Sequence, residues 1–331
     1  MTLYGLVSEL PVTVESYELE GLEQAVSSDF VRRTTVVHLH GGGHEGVGED
    51  VVYDADDQVR FQAAGPQLDL AGTHTLDSLS QRFEGMEDLR RWGFEAAVLD
   101  LALRQAGTPL HEVLGREPRP VTFVVSTSLQ DGTADRLHRL PGMRFKLDPE
   151  ASWDESLVAE LARLDVVDVV DFKEAYDWRA HERTPPPSLY RLVVDALPDA
   201  LIEDPDLSGE KGEILAAHHD RITWDAPIHR VAHVEALAFA PRVLNSKPSR
   251  FGSVRELFGF YDLCAQRGIS LYGGGQFELG PGRGQIQYLA SLFHPDAPND
   301  VAPKEYNVVP TPTGLPQSPL EASPDRIGFR W

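Results

Sequence analysis

The sequence predicts an α/β fold built around a closed barrel of parallel strands. From about residue 120 to 295, short apolar segments alternate with helical ones, which is typical of parallel strands joined by helices. Seven or eight such units in roughly 180 residues fit a closed barrel better than an open sheet. The run 166–170, valine at every position except one, shows the pattern of a strand buried on both faces.

The segments on either side of the barrel have different patterns. Residues 1–60 have a β-rich pattern, with a glycine turn at 41–43 that predicts a hairpin. Apolar residues at helical spacing predict a helix over 94–106 that stops near Gly107 and Pro109. A proline-rich tail follows residue 303 and is expected to pack back on the N-terminal region. We therefore divide the chain into an N-terminal domain (1–119), the barrel (120–303) and a C-terminal segment (304–331).

Composition narrows the classes of function. The formal net charge of −22 argues against nucleic acid as a partner, because binding phosphates requires clustered lysine and arginine. The single cysteine, Cys264, excludes an intrachain disulfide and fits a reducing compartment. No signal peptide and no apolar run of roughly 18 residues is evident. We expect a cytoplasmic protein with no membrane or nucleic-acid partner; its oligomeric state stays open, a homo-oligomer included.

Ionisable residues recur where the predicted barrel strands end. A single aspartate at a strand end is often only a turn former. Here, however, the strand ends fall 22 to 32 residues apart, about one strand–helix unit each, and the carboxyl ends of barrel strands meet at one face. In chain order the residues are Lys146, Asp171, Glu203, Asp225, Lys247 and, after the seventh strand, Glu278. Their common register favours a functional site.

The chemistry of this set predicts a metal-assisted proton transfer. Three carboxylates from neighbouring strands suit an octahedral Mg²⁺, with Mn²⁺ as the alternative ion. A metal between two lysines is one way to remove the proton α to a carboxylate, with the metal stabilising the enediolate. We therefore expect Asp171, Glu203 and Asp225 to bind the metal. Lys146 and Lys247 are expected to exchange the proton of a small carboxylate substrate.

The order of these motifs resembles the enolase superfamily, in particular its muconate-lactonizing and o-succinylbenzoate-synthase-like branch. The stretches "LIEDP", "WDAP", "NSKPSRFG" and "GGGQFELGPGR" match its fourth to seventh strand motifs in order. The resemblance implies a modified (β/α)7β TIM-like barrel under an α+β capping domain formed by both termini. It implies the same metal ligands and lysine pair, in a racemase or epimerase, a cycloisomerase or a syn-dehydratase.

Several positions depart from that branch or are expected to contact substrate. The second-strand motif is usually Lys-x-Lys, but here it reads Arg144-Phe145-Lys146, so Arg144 is expected to supply charge that lowers the pKa of Lys146. Lys173 stands where the branch often has asparagine, and either contacts a substrate carboxylate or points away. Ser126, Asn245 and Glu278 are further candidates for substrate contact or local electrostatics. A mobile loop over 18–30 is expected to select the substrate.

Two other classes of function are compatible with parts of the pattern. A different divalent-metal barrel enzyme, such as an aldolase, would also need carboxylates and a lysine at strand ends. It would not need two lysines on opposite sides of the metal. A catalytically silent barrel retained as a binding protein is expected to lose a ligand, whereas all three carboxylates and both lysines are present here.

Overall fold

Antiparallel strands dominate the N-terminal region of the computed structural model, which describes residues 1–27, 30–129, 132–174, 185–308 and 311–331. Strands β2, β3 and β4 form one sheet in that order, and β1 pairs with β5. The glycine turn is the hairpin that the sequence predicts, since Gly42 and Gly43 both adopt positive φ between β3 and β4. The strands are β1 (Pro11–Val14), β2 (Ser16–Ser27), β3 (Phe30–Gly41), β4 (His44–Asp50) and β5 (Gly72–Thr75).

A long helix covers this sheet, and glycines allow its close approach. The helices of this region are α1 (Ala55–Ala64), α2 (Leu76–Arg82), α3 (Asp88–Ala106) and α4 (Leu110–Leu114). Helix α3 begins earlier than predicted and ends at Gly107, which adopts the left-handed conformation of a C-terminal cap. A Cβ at Gly48 of β4 would lie 2.0 Å from the carbonyl oxygen of Gly93, so helix and strand pack backbone to backbone.

Asp100 of α3 joins the end of the chain to this region. Its buried carboxylate accepts the main-chain N–H groups of Val47 (3.0 Å) and Phe329 (2.7 Å) and a hydrogen bond from Arg330 Nε (2.7 Å). Gly328 also bridges to Pro109 in parallel. The C-terminal residues therefore lie against the N-terminal helix and sheet.

Parallel strands form a closed barrel, which confirms the predicted α/β class. Five strands pair in the order β10-β9-β8-β7-β6, and β11 pairs with β12. Main-chain hydrogen bonds close the ring, from Asn245 to Trp224 (3.2 Å), Asp300 to Gly273 (2.7 Å) and Val124 to Asn299 (2.8 Å). The strands are β6 (Val125–Ser128), β7 (Phe145–Asp148), β8 (Val167–Asp171), β9 (Leu201–Glu203), β10 (Ile222–Thr223), β11 (Val243–Ser246) and β12 (Ser270–Gly273).

Helices with one apolar face surround the barrel. In α6, Leu157, Val158 and Leu161 recur at helical spacing and are buried, and Asp154 caps the helix by accepting the Leu157 N–H. The helices are α5 (Asp135–His138), α6 (Glu155–Leu164), α7 (Pro187–Ala196), α8 (Gly209–Leu215), α9 (Val231–Glu235), α10 (Val254–Arg267) and α11 (Pro281–Phe293). Short 3₁₀ turns lie at Tyr4–Leu6, Pro248–Phe251 and Lys304–Asn307. No helix in the described ranges has the length and apolarity that crossing a membrane would need.

His294, which follows α11, is expected to make the fold sensitive to acid. Its Nδ1–H donates to Asn299 Oδ1 (2.6 Å), and burial lowers the pKa of the imidazole from 6.5 to about 4. The unfolded chain therefore takes up this proton at higher pH than the folded protein. The stabilisation is complete above pH 6.5 and is lost as the pH falls towards 4, a contribution of about 3 kcal/mol.

Urea unfolding at pH 7 and pH 4 measures this effect. The loss of unfolding free energy between the two pH values should be about 3 kcal/mol smaller in His294→Gln than in the wild type. His138, which is half exposed, provides the control: His138→Gln should follow the wild type. Equal losses in His294→Gln and wild type would contradict the assignment.

Candidate active site

The carboxyl ends of the barrel strands open into a cavity of about 770 Å³. Tyr53, which follows β4, contributes to its wall from the N-terminal region. Although the chain is strongly acidic, basic side chains outnumber acidic ones here, which suits an anionic ligand. The charged lining residues are Arg136, Lys146, Lys173, Lys247, Arg250 and Arg283, with Asp148, Asp171 and Asp300.

Three buried carboxylates lie close enough to share a metal ion. Ligand atoms of Asp171, Glu203 and Asp204 all lie within 4.8 Å of one another. Asp171 and Glu203 are direct partners in the pairing of β8 with β9, so the strand register brings them together. Asp204 joins them through a left-handed backbone conformation (φ 45°) just past the strand end. We did not expect Asp204 as a metal ligand from the sequence, although it stands next to Glu203.

Glu203 lies at the centre of a dense polar network. It accepts hydrogen bonds from Lys146 Nζ (2.5 Å), Asn245 Nδ2 (3.4 Å) and the Tyr272 hydroxyl. The pKa of Glu203 is raised to about 8, chiefly by burial; Lys146 opposes this rise and Asp171 contributes to it. Tyr272 was not expected at the site from the sequence. Its place directly before the glycines at 273–275, at the end of a predicted barrel strand, could have indicated it. A divalent cation would relieve the crowding of negative charge at this position.

Asp225, the third predicted ligand, is held beside this group by Asp204. Both oxygens of Asp204 accept main-chain N–H groups, those of Asp225 (2.9 Å) and Ala226 (2.8 Å). Asp225 in turn forms ion pairs with Lys247 (2.6 Å) and Arg250 (3.3 Å). Burial and neighbouring carboxylates raise the pKa of Asp204 to about 7. For Asp225, burial would raise the pKa, but Arg250 and Lys247 bring it well below its usual value.

Two lysines lie near Asp171, at different depths. Lys146 Nζ is 3.1 Å from Asp171 Oδ2, and only 3% of its side chain is exposed. Lys173 forms an ion pair with Asp148, and 22% of its side chain is exposed. Burial alone would lower both lysine pKa values. The pKa of Lys146 is nevertheless raised by Asp171 and Glu203, and that of Lys173 by Asp148 and Asp171.

We expected Arg144 to lower the pKa of Lys146, but the pKa is raised. Arg144 does not face Lys146 and has other partners. Arg144 donates to Asp168 (2.7 Å) and to the carbonyl of Asp165 (3.0 Å), and its side chain is half exposed. It stands just before β7, where the pairing with β8 has a register shift. Arg144 therefore neutralises Asp168 and does not line the cavity.

Of the other candidate residues, one lines the cavity and two contact charged side chains of the protein. Ser126 lines the cavity. Asn245 is buried against Glu203, and Glu278 accepts the Gln276 N–H (2.6 Å) and pairs with Arg283 (3.2 Å). Asn245 and Glu278 therefore contact charged groups of the protein, which corresponds to the electrostatic alternative given for them.

The region predicted as a substrate-selecting loop has regular structure. Residues 18–27 belong to β2, which pairs with β3 in an antiparallel hairpin. Residues 28 and 29, which the predicted loop also includes, lie outside the described residues. Over the described residues 18–27, the predicted loop is therefore part of a strand.

The donor set fits Mg²⁺. All the candidate ligand atoms are carboxylate oxygens, the hard donors that this ion prefers. The carboxylates are buried in one small volume, where their mutual repulsion favours a bound cation. Asp171 and Glu203 are candidate ligands whether the third ligand is Asp204 or Asp225.

Comparisons with known proteins agree with this fold. Residues 5–113 and 117–308 match the N-terminal and C-terminal domains of the family described as Domain of unknown function (DUF8230). The chain is 27% identical over 244 residues to o-succinylbenzoate synthase of Geobacillus stearothermophilus, covering 69% of this chain and 63% of that protein. It is 31% identical over 239 residues to N-succinylamino acid racemase of an Amycolatopsis species, covering 68% and 62%. It thus spans less than two thirds of the length of these relatives.

A third relative and two solved structures match over more of their length. N-succinylamino acid racemase of Thermus thermophilus is 26% identical over 321 residues, 87% of this chain and 85% of that protein. Muconate lactonizing enzyme from Pseudomonas putida superposes with a TM-score of 0.71 at 20% identity, covering 96% of both chains. A dipeptide epimerase from Enterococcus faecalis superposes with a TM-score of 0.72 at 15% identity, covering 96% and 99%.

The barrel and its cap have the fold of enolase-superfamily structures. The chain belongs to the DUF8230 family. It is similar to the enolase-superfamily subgroup of muconate-lactonizing enzymes, o-succinylbenzoate synthases and N-succinylamino acid racemases. The resemblance inferred from the sequence motifs is therefore confirmed.

Proposed function

We propose that this protein is a Mg²⁺-dependent isomerase or lyase that removes the proton α to a carboxylate of a small substrate. One observation carries the proposal. Asp171, one of three clustered and buried carboxylates, lines the same cavity as three lysines and an excess of positive charge. The carboxylates can bind a cation, the lysines can carry a proton, and the arginines can attract an anionic substrate.

The metal would be held by Asp171 and Glu203, with Asp225 as the third ligand. We assign Asp204 a supporting role, because both of its oxygens accept the main-chain N–H groups that shape the turn carrying Asp225. When bound, the metal acts as a Lewis acid that draws negative charge onto the substrate carboxylate and makes its α-proton more acidic.

The protein's own groups supply the proton transfer and the enclosure. Lys247 lies at the cavity wall, where its ion pair with Asp225 fixes the position of the ammonium group. A second lysine is needed on the other side of the substrate, and both Lys146 and Lys173 reach the same cavity. Tyr53 adds a wall to the cavity from the N-terminal region.

N-succinyl amino acids are the first substrates to test. Two relatives are named for their action on these compounds, and a third for the synthesis of o-succinylbenzoate. The cavity also suits a second carboxylate. Arg136 and Arg283 line it, and among the described residues the Nε of each is buried and has no hydrogen-bond partner.

Deuterium exchange in D₂O tests the proposal. The protein is incubated with Mg²⁺ and N-succinyl amino acids of both configurations, and α-deuterium is followed by mass spectrometry. We expect exchange that EDTA abolishes and that Lys247→Met removes. Lys211 is ion-paired with Glu174 and does not line the cavity, so Lys211→Met should exchange at the wild-type rate. The proposal is wrong if no N-succinyl amino acid, dipeptide, lactone or sugar acid exchanges while Mg²⁺ binds.

A further inference from the structure

A second cavity adjoins the proposed active site at Arg136. It has a volume of about 550 Å³ and is lined by residues between 136 and 143, by residue 306 and by residues 311–317 of the C-terminal segment. Arg136 lines both cavities, so they share this side chain as a common wall. The second cavity therefore lies directly beside the space in which a substrate would be bound.

Two hydrogen bonds of Tyr306 build the wall that the C-terminal segment contributes. The main-chain carbonyl oxygen of Tyr306 accepts from Arg136 Nη2 (2.9 Å), and its hydroxyl group donates to the carbonyl oxygen of Pro316 (2.9 Å). The tyrosine ring is buried, and its centroid lies 5.7 Å from that of Phe123. These contacts join the segment to the barrel, so the second cavity is part of the packed fold.

The second cavity has an apolar lining and carries only positive charge. Leu140, Met143 and Leu315 contribute hydrocarbon surface, and the charged lining residues are Arg136 and Arg139. The chain as a whole has 52 acidic and 30 basic residues, yet the described lining of this cavity includes no carboxylate. A cavity of this composition suits a ligand with a hydrocarbon body and an anionic end.

Arg136 and Arg139 repel each other, and a carboxylate between them would relieve the repulsion. Within the described ranges, neither guanidinium group forms an ion pair. The Nε of Arg136 is buried and has no hydrogen-bond partner there. Burial lowers the pKa of Arg136, and the positive charge of Arg139 lowers it further. An anionic oxygen at this position would accept the Nε–H and pair with both cations.

We propose that the second cavity binds the distal end of the substrate, an acyl chain that is longer than succinyl and ends in a carboxylate. This inference rests on the proposed function, because the chain is attached to the amino acid that loses its α-proton. Its methylene groups pack against Leu140 and Leu315, and its terminal carboxylate pairs with Arg136 and Arg139. The substrate class is therefore amino acids that are N-acylated with a longer dicarboxylic acid, such as suberic acid.

Binding of free diacids tests the cavity without turnover. Calorimetry in the presence of Mg²⁺ compares succinate with suberate, which is longer by four methylene groups. Suberate should bind the wild type at least tenfold more tightly, because burial of the added methylene groups favours binding. Arg139→Gln and Leu315→Glu should each remove this difference. Arg163 is exposed at the end of α6 and does not line the cavity, so Arg163→Gln should retain it. Equal binding of the two diacids by the wild type, or a difference that persists in Arg139→Gln, would overturn the proposal.

Exchange kinetics decide whether the bound chain belongs to the substrate. The KM for α-exchange should be at least tenfold lower for an N-suberoyl than for an N-succinyl amino acid, with kcat within about threefold, because a distal contact stabilises ground and transition states alike. Arg139→Gln should raise this KM to the N-succinyl value. Free suberate should compete with the N-suberoyl substrate, and binding without competition would overturn the substrate assignment. If the wild type exchanges no compound, the proposed function fails, and the diacid titrations still decide whether the second cavity binds such a chain.

Discussion

Replacing Glu203 with glutamine is expected to abolish Mg²⁺ binding and α-proton exchange together. Glu203 is completely buried, pairs in register with Asp171 and receives hydrogen bonds from three side chains. The substitution replaces an anionic ligand with a neutral amide at a fully buried position. Loss of a residue that only supports a ligand typically weakens metal binding 10- to 100-fold. We therefore expect Glu203→Gln to weaken binding by on the order of 1000-fold, as measured by calorimetry with Mg²⁺ and by Mn²⁺ electron paramagnetic resonance.

The same titrations identify the third ligand through a matched pair of variants. Asp204→Asn and Asp225→Asn each remove one negative charge from adjacent positions. Asp225→Asn should weaken the metal as strongly as Asp171→Asn does. Asp204→Asn should retain the metal but lower the stability by about 1–3 kcal/mol, because the amide cannot accept both main-chain N–H groups. The reverse order would make Asp204 the ligand, and unchanged affinity in Glu203→Gln would exclude this metal site.

The sequence was sufficient for the fold and for the convergence of the site. Alternating strands and helices in one domain leave few architectures other than a barrel, and strand-end residues of a barrel must meet at one face. Asp171 and Glu203 accordingly stand side by side in the structure. The buried position of Cys264 within α10 likewise follows from the amphipathic pattern.

Depth along a strand was not available from the sequence. Alternation tells which face a residue occupies, and Lys146 and Asp148 share a face, so the pattern does not say which of them reaches the cavity mouth. Their heights depend on the pairing with β8, which has an irregularity between Phe145 and Lys146. A sequence pattern locates the end of a strand only to within about two residues. The strand end expected at Lys146 and the observed end at Asp148 differ by that amount.

The sequence also did not show which partner a long side chain reaches, or where the backbone turns back after a strand. Arg144 was expected to act on Lys146, but a long side chain next to a register shift can turn to another partner, here Asp168. Asp204 and Lys173 enter the site through left-handed conformations, which aspartate and lysine adopt uncommonly. Each stands one or two residues past a strand that ends in a metal-ligand candidate.

Lys247→Met is expected to separate proton transfer from metal binding. Lys247 Nζ lies 2.6 Å from Asp225 Oδ2 and lines the cavity, so its ammonium group competes with a cation for the same carboxylate. Removing it should lower α-exchange by at least about 1000-fold, because no other group replaces it on that side. The same change should tighten Mn²⁺ binding by on the order of tenfold, since one positive charge leaves the neighbourhood of the metal.

Lys247→Arg tests whether Lys247 acts by transferring a proton or only by its positive charge. The guanidinium group retains a cation beside Asp225 but does not release a proton near neutral pH. We expect its exchange to be as low as that of Lys247→Met, with Mn²⁺ affinity close to wild type. Exchange retained in Lys247→Arg would mean that this residue acts through its charge alone. Loss of exchange and of Mn²⁺ binding together in Lys247→Met would mean that it acts by holding Asp225, because a pure acid/base residue has no reason to weaken the metal.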